Sequence, residues 1–182
     1  MSSIIPGLVA EAGGKIAGKV RLQKIVYLLQ AMGLGSKFSF EYRYYGPFSP
    51  ELVDQVEEDV IFRRLKAVPE RRQSDGVPYV VYENIDTVYE SLRLDGSLSS
   101  ALKEMQRVSA TVLELAATIH WLAVYEKRLD WQEELVVRKG VKTENGRDKE
   151  ALNLLRELKL PPAVALSSDS RSPSTSRAQF SF

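Results

Sequence analysis

The chain has 182 residues and a formal net charge of +1; 44% of the residues are hydrophobic and 27% are charged. This mixture is typical of a globular domain with its own core. The near balance of charge does not by itself favour nucleic acid or a membrane surface as partner. The absence of cysteine excludes disulfides, thiolate nucleophiles and cysteine-ligated metal. Without a signal-peptide pattern or an apolar run of about 18 residues, we expect a cytoplasmic protein that does not enter a membrane.

The first half of the sequence predicts helices that alternate with short strands. Residues 4–12 predict a short helix, with Pro6 near its first turn. Residues 19–32 predict a second helix whose apolar side chains cover most of its circumference, which is typical of a helix at the centre of a core. Aromatic and polar residues alternate over residues 38–44, and this period of two predicts a strand that Gly46-Pro47 breaks.

A helix start follows at Ser49 and Pro50, a hydroxyl cap before a proline in the first helical position. This helix is expected to run to about Leu65, with five residues facing inward: Leu52, Val53, Val56, Val60 and Ile61. A β-hairpin is predicted next, with its tip at residues 70–76 and its return strand at 79–82. Pro69 and Pro78 predict a short or edge-like ribbon.

The second half of the sequence is predicted to be helical. Apolar and small residues repeat in steps of three and four over residues 98–123. We favour an intramolecular core for this stripe, with a homodimer seam through residues 98–123 as the alternative. Further helices are predicted over residues 131–139 and 147–159. The serine-rich end of the chain predicts a disordered tail.

These elements predict an α+β fold that is mainly helical. Residues 1–95 are expected to form a winged-helix-like core with a small β-hairpin. Residues 96–160 are expected to form a helical extension that packs on this core or dimerises. Residues 161–182 form the predicted disordered tail.

Two motifs in the first half resemble a known family. Residues 20–29 read VRLQKIVYLL, and residues 42–52 read YRYYGPFSPEL. In this order and at this spacing they resemble the YwgA-like group and, more distantly, the SocA-like antitoxins of the Panacea domain. The resemblance covers roughly residues 15–82. Phe48-Ser49 departs from the antitoxin group, which more often has an aliphatic residue there, and this weakens the antitoxin interpretation specifically.

The resemblance implies a non-enzymatic bacterial or archaeal protein. Panacea-type proteins neutralise toxins, and the SocA type also hands its toxin to a protease. The YwgA-like group brings no biochemical role with it. The resemblance therefore favours binding to a protein over catalysis.

The motif residues divide into two groups. One group fits a fold-defining role, in which a Tyr-Gly-Pro turn and a serine cap form an abrupt strand-to-helix corner: Tyr44, Gly46, Pro47 and Ser49. The other group has polar heads that packing does not need: Arg21, Gln23, Lys24 and Arg43. These side chains either pair with carbonyl groups of the core or bind a protein partner, and the sequence leaves both alternatives open.

Catalytic and metal sites are weakly indicated. His120, the only histidine, could exchange protons with Glu114 or Glu126, but we favour a buried structural histidine. Glu51, Asp54 and Glu58 share one helical face and could hold magnesium in a nuclease, but a solvated acidic face near a helix N-terminus explains them better. We therefore predict no catalytic residue, no metal and no cofactor.

The strongest basic cluster consists of Arg63, Arg64, Lys66, Arg71 and Arg72. It would grip phosphates if the predicted hairpin were the wing of a DNA-binding domain. The helix that would read the bases is acidic over its first three turns, which opposes DNA. A basic patch for docking a protein and an ordinary solvated surface are the other two interpretations.

The leading hypothesis is a non-catalytic protein-binding module, antitoxin-like or defence-associated, that sequesters a protein partner such as a toxin. The alternative is a winged-helix transcriptional regulator that binds DNA through the basic cluster. An enzyme ranks third.

Overall fold

The computed structural model describes residues 3–85 and 94–163. Within these ranges the protein is α+β and mainly helical, with small antiparallel sheets, so the predicted fold class is confirmed. The helices are α1 (Ile5–Glu11), α2 (Lys19–Ala31), α3 (Pro50–Ile61), α4 (Gly96–Arg107), α5 (Ala110–His120), α6 (Trp131–Lys139) and α7 (Arg147–Glu157). The strands are β1 (Lys15–Ala17), β2 (Glu41–Arg43), β3 (Gly46–Phe48), β4 (Leu65–Arg71) and β5 (Pro78–Asn84).

Helix α2 lies at the centre of the core, as its sequence predicts. Apolar side chains cover most of the circumference of the helix, and residues 22–29 are all buried, including the polar Gln23 and Lys24. It packs against α4, α5 and β3. One hydrophobic cluster includes residues from both the predicted core, 1–95, and the predicted extension, 96–160.

The strand predicted over residues 38–44 is shorter than expected. Only β2 is extended, and it pairs with β3 so that Tyr42 lies opposite Pro47 and Arg43 opposite Gly46. Tyr44 and Tyr45 form the two-residue loop of this hairpin. The first strand does end before Gly46-Pro47, but these residues begin a return strand that the sequence did not predict. A two-stranded ribbon has only edge strands, where proline is tolerated.

Helix α3 begins as predicted and ends early. The Ser49 hydroxyl accepts a hydrogen bond from the Leu52 amide at 3.2 Å, and Pro50 occupies the first helical position. The helix ends at Ile61 instead of Leu65, and Arg63 follows with a left-handed φ of 53°. The prediction that Ile61 faces inward is wrong, since 75% of its surface is exposed.

The predicted β-hairpin is formed by β4 and β5 within a three-stranded sheet of order β1-β5-β4. Each of its two strands has seven residues, more than the prolines suggested. Pro69 lies in β4 at the edge of the sheet, and Pro78 is the first residue of β5. Both are positions where a missing N–H is tolerated.

The stripe over residues 98–123 belongs to two helices. Val108 is extended between α4 and α5, and the Ser109 hydroxyl caps α5 by accepting a hydrogen bond from the Val112 amide at 3.1 Å. Most of the stripe is buried in the hydrophobic core of the same chain, including Leu102, Met105 and Ile119. This is the intramolecular use of the stripe, and the break interrupts the continuous seam that a homodimer through residues 98–123 would need.

Helices α6 and α7 lie where the sequence predicts them, although α7 ends two residues earlier, at Glu157. A π-helical turn (Trp121–Tyr125) follows α5, and a 3-10 turn (Gly140–Thr143) follows α6. Among the described residues, no helix is both long and apolar enough to cross a membrane. The predicted disorder of the tail falls almost wholly on residues 164–182, which lie outside the described residues.

Candidate functional site

The Tyr-Gly-Pro motif forms the tip of the β2–β3 hairpin, which rests on α5. Gly46 has a φ of +83°, in the left-handed region that favours glycine. A Cβ atom at this position would lie 2.8 Å from the hydroxyl oxygen of Thr118 on α5. Any other residue would therefore meet both backbone strain and a steric clash.

Beneath this tip lies a group of charged side chains that we call the lysine cluster: Lys24, Glu114, Lys139 and Lys142. Lys24 Nζ donates a hydrogen bond to the Pro47 carbonyl at 2.5 Å, and Lys139 Nζ donates to the Tyr44 carbonyl at 2.9 Å. Helices α2 and α6 thus hold the hairpin tip by its backbone.

The Glu114 carboxylate is the acidic group of the lysine cluster and pairs with two of its lysines. Glu114 on α5 accepts from Lys139 Nζ at 2.8 Å and from Lys142 Nζ at 2.9 Å. Lys24, Glu114 and Lys139 are all buried. Buried ion pairs stabilise only when their desolvation is repaid by charge and hydrogen bonding. Two buried lysines and the partly exposed Lys142 thus surround a single buried carboxylate.

Burial and the neighbouring charges together set the pKa of Lys24. Burial lowers the pKa of Lys24 to about 7; Glu114 opposes this shift, while Lys139 and Lys142 add to it. Burial also lowers the pKa of Lys139, and its hydrogen bond to Glu114 opposes that shift. Lys24 therefore loses its proton at a much lower pH than an ordinary lysine.

The other polar residues of the first motif also bind backbone. Gln23 is buried. Its side-chain Nε2 donates a hydrogen bond to the Ser49 backbone carbonyl, and its Oε1 accepts one from the Ser49 backbone amide, each at 2.9 Å. Arg21 donates to the Met105 and Val108 carbonyls at 3.0 and 2.9 Å, where α4 ends and leaves carbonyls without helical partners.

Three of the four predicted partner-binding residues, Arg21, Gln23 and Lys24, thus direct their polar atoms into the chain. Of the two alternatives left open by the sequence, pairing with carbonyl groups is formed by all three in the structure. Binding to a protein partner stays a prediction, since Arg21 is partly exposed and Gln23 and Lys24 line a groove of the surface. Arg43 is exposed. It forms an ion pair with Glu41 at 2.5 Å and lies 4.4 Å from the centre of the Phe48 ring.

His120 is buried in the core next to Tyr27. Its Nδ1 atom lies 2.7 Å from the Tyr27 hydroxyl, and burial lowers the pKa of His120 to about 4. The two carboxylates considered as its catalytic partners bind other groups, since Glu114 accepts from Lys139 and Glu126 pairs with Arg138 at 2.7 Å. The geometry therefore pairs His120 with neither of these carboxylates.

The acidic face of α3 does not gather ligands for a metal. The Glu51 carboxylate accepts from the Ser39 amide at 2.9 Å, and Glu58 pairs with Arg64 at 3.0 Å. Over the described residues, no group of three or more acidic or histidine side chains could hold a metal ion.

The basic cluster is distributed over the hairpin and partly neutralised. Arg64 pairs with the buried Asp59 at 2.7 Å, and Arg72 pairs with Asp75 at 3.3 Å. Lys66 and Arg71 lie at opposite ends of β4, roughly 17 Å apart along an extended strand. Arg63 follows α3 and is exposed. The five residues therefore do not form one compact positive patch.

An apolar groove of about 720 Å³ opens between α2, α3 and the three-stranded sheet. Its walls are mainly aliphatic and aromatic, and they include Val20, Leu52, Val53, Val56, Val60, Ile61, Val80 and Tyr82. Tyr45 and Phe48 of the β2–β3 hairpin also line it. Its size and lining are typical of binding sites in proteins.

The sequence did not reveal the lysine cluster or the groove. Glu114 gave a signal for the cluster, since a carboxylate within the apolar run of residues 112–125 must find a cation once buried. Lys139 and Lys142 resemble ordinary surface lysines in sequence. The exposure of Ile61 gave no signal, because its spacing matches that of the buried residues of α3.

No protein-family profile matches the chain. The chain is similar to the uncharacterized protein YwgA of Bacillus subtilis (strain 168), with 27% identity over 152 residues. The alignment covers 80% of this chain and 89% of that protein. It is longer than the segment 15–82 to which the motifs pointed, so the likeness includes residues beyond the hairpin. This similarity supports a YwgA-like family for the chain.

Proposed function

We propose that the chain is a non-catalytic protein-binding module, antitoxin-like or defence-associated, that sequesters a protein partner in the groove between α2, α3 and the sheet. The observation that carries this proposal is the groove itself. Ile61 and Tyr45, which line it, have 75% and 50% of their surfaces exposed. Apolar surface kept open to water in this way marks a site for a partner.

The placement of the polar motif residues supports this proposal. Lys24 and Gln23 hold the β2–β3 hairpin to α2, and this hairpin contributes Tyr45 and Phe48 to the groove. The motif thus positions one part of the binding surface, and Gln23 and Lys24 themselves line the groove. A rigid, preformed surface loses less conformational entropy on binding.

The test is a pull-down of the tagged full-length chain from its native host with mass spectrometry of the eluate. We expect a stoichiometric protein that is lost when Val53→Asp and Ile61→Asp are combined. The matched control combines Val137→Asp with Val141→Asp, because these exposed valines lie outside the groove. Retention by the groove variant, or loss only in the control, would contradict the proposal.

A winged-helix DNA-binding regulator is the second candidate. It is supported by the sheet order β1-β5-β4, which leaves the hairpin tip with Arg71 and Arg72 exposed, and by the order α1-β1-α2-β2-β3-α3-β4-β5, in which the β2–β3 hairpin is inserted between α2 and α3. The exposed carboxylates of α3 oppose it, since they would repel phosphates. If DNA binds, added salt should weaken it and Arg71→Glu with Arg72→Glu should abolish it. An unchanged affinity in this double variant would remove the hairpin contact.

A further inference from the structure

The border of the groove carries negative charge on one side. Asp54 and Glu57 are exposed and one helical turn apart on α3, and Glu57 lines the groove. Burial raises the pKa of Tyr82 in the groove, and the Glu57 carboxylate raises it further, which places this charge near the apolar wall. Neither Asp54 nor Glu57 forms an ion pair with any residue that the structure describes.

The walls of the groove suit a helical occupant. The sheet contributes through one face, on which Ala67 lies opposite Tyr82 and Val80 lies two residues before Tyr82. Backbone N–H and C=O groups point along the plane of a sheet and not out of its face. An extended peptide lying on this face would therefore find no backbone partners in the sheet, whereas a helix satisfies its backbone groups internally.

We propose that the groove binds an amphipathic α-helix of the protein partner, with an apolar stripe in the groove and lysine or arginine residues on the flank that faces Asp54 and Glu57. This inference depends on the proposed function. Helix α3 is about 18 Å long, so it can contact about three turns of a partner helix. Asp54 and Glu57 match two basic residues that are three or four positions apart.

The wall formed by α2 carries positive charge and disfavours basic residues on the flank of a partner helix that faces it. Lys19 of α2 is exposed and lines the groove. A partner helix with basic residues on both flanks would place one of them near Lys19. The groove therefore favours a helix whose two flanks differ in charge, which also selects its orientation.

The test is selection from a displayed library of amphipathic helices of about four turns. The stripe positions vary among apolar residues, and the flank positions vary among lysine, glutamate and glutamine. On the immobilised full chain we expect basic residues to be enriched on one flank. Asp54→Lys with Glu57→Lys should weaken a lysine-flanked binder about tenfold, because two attractive pairs become repulsive.

The control for net charge is Glu133→Lys with Glu150→Lys, which reverses two exposed carboxylates outside the groove. It should leave the affinity within about twofold. The inference is overturned if the selected helices show no flank bias, or if they still bind the variant with Val53→Asp and Ile61→Asp.

The native pull-down separates this inference from the proposed function. A partner lost with the groove variant but retained after Asp54→Lys with Glu57→Lys would support the proposed function and overturn the charged-flank inference. Loss with both variants would support both. If sedimentation showed a dimer that the groove variant converts to a monomer, a second copy of this chain would be the occupant, and the inference would fail.

Discussion

The β2–β3 hairpin separates two regions with opposite chemistry. On the side of α5 and α6, the hairpin tip rests on the lysine cluster, where charged groups are buried. On the side of α2 and α3, Tyr45 and Phe48 line the groove, where apolar groups face solvent. Tyr45 touches both regions, because Lys142 Nζ lies 4.9 Å from the centre of its ring.

This contrast shows how stability and binding divide between the two regions. The buried charges have partners only in the folded chain, so changing one of them should mainly alter the free energy of unfolding. The exposed apolar residues make few contacts within the chain, so changing them should mainly alter binding. Substitutions in each region test this division.

The largest expected effect comes from removing the only carboxylate of the lysine cluster. Glu114→Gln leaves Lys139 and Lys142 without a counter-charge and should lower the free energy of unfolding by about 3–5 kcal/mol. Urea denaturation measures this loss. The control is Glu104→Gln, which breaks the exposed ion pair with Arg107 and should cost about 1 kcal/mol or less. Equal losses in both variants would contradict a special role for the cluster.

The contact between the hairpin tip and α5 should leave no space for a side chain at Gly46. In Gly46→Ala, the left-handed backbone conformation should lower the free energy of unfolding by about 1–2 kcal/mol. The overpacked contact between the new Cβ and Thr118 should lower it by a further ~1–3 kcal/mol. The control is Gly76→Ala, since Gly76 also has a positive φ, +69°, but has open space around it.

The double variant Gly46→Ala with Thr118→Ala isolates the clash at this contact. Gly46→Ala should cost less free energy of unfolding when it is introduced into Thr118→Ala than when it is introduced into the unmodified chain. If the two substitutions are simply additive in urea denaturation, the proposed contact is absent.

The pH dependence of stability tests Lys24. Its folded pKa of about 7 lies below its ordinary value of 10.5, so the unfolded chain binds more protons between these two values. The free energy of unfolding should therefore rise with pH across this window, by at most about 1.4 kcal/mol per pH unit. Measurements from pH 7 to 9 avoid ionisation of tyrosines in the unfolded chain.

The reference for this pH measurement is Lys24→Met, which keeps the length of the side chain and removes the titrating amine. The rise between pH 7 and 9 should be smaller in this variant. An equal rise in the two proteins would show that Lys24 is not the group responsible.

The smallest effect on stability is expected in the groove. Ile61→Ser changes a side chain that is 75% exposed and should alter the free energy of unfolding by about 0.5 kcal/mol or less. The same variant should bind the recovered partner more weakly. A large loss of stability would show that Ile61 belongs to the core and would remove the contrast between the two regions.

Local sequence signals determined many of the elements. Ser49 and Pro50 predicted the start of α3, and the apolar circumference of residues 19–32 predicted the central position of α2. These signals depend on backbone geometry and side-chain periodicity within a few residues. The break at Ser109 was missed, because a serine that caps a helix also fits the small-residue spacing of the stripe over residues 98–123.

The tertiary structure alone decided how the polar and exposed residues are used. The role of Lys24 depends on Pro47, 23 residues away, and on Glu114, which lies on α5. Whether Ile61 is buried depends on where the sheet ends and the groove opens. The sequence thus determined which segments form helices and strands, whereas long-range packing decided which charges are buried and which apolar side chains remain open to a partner. The reason is that burial and ion pairing depend on neighbours that are distant in sequence.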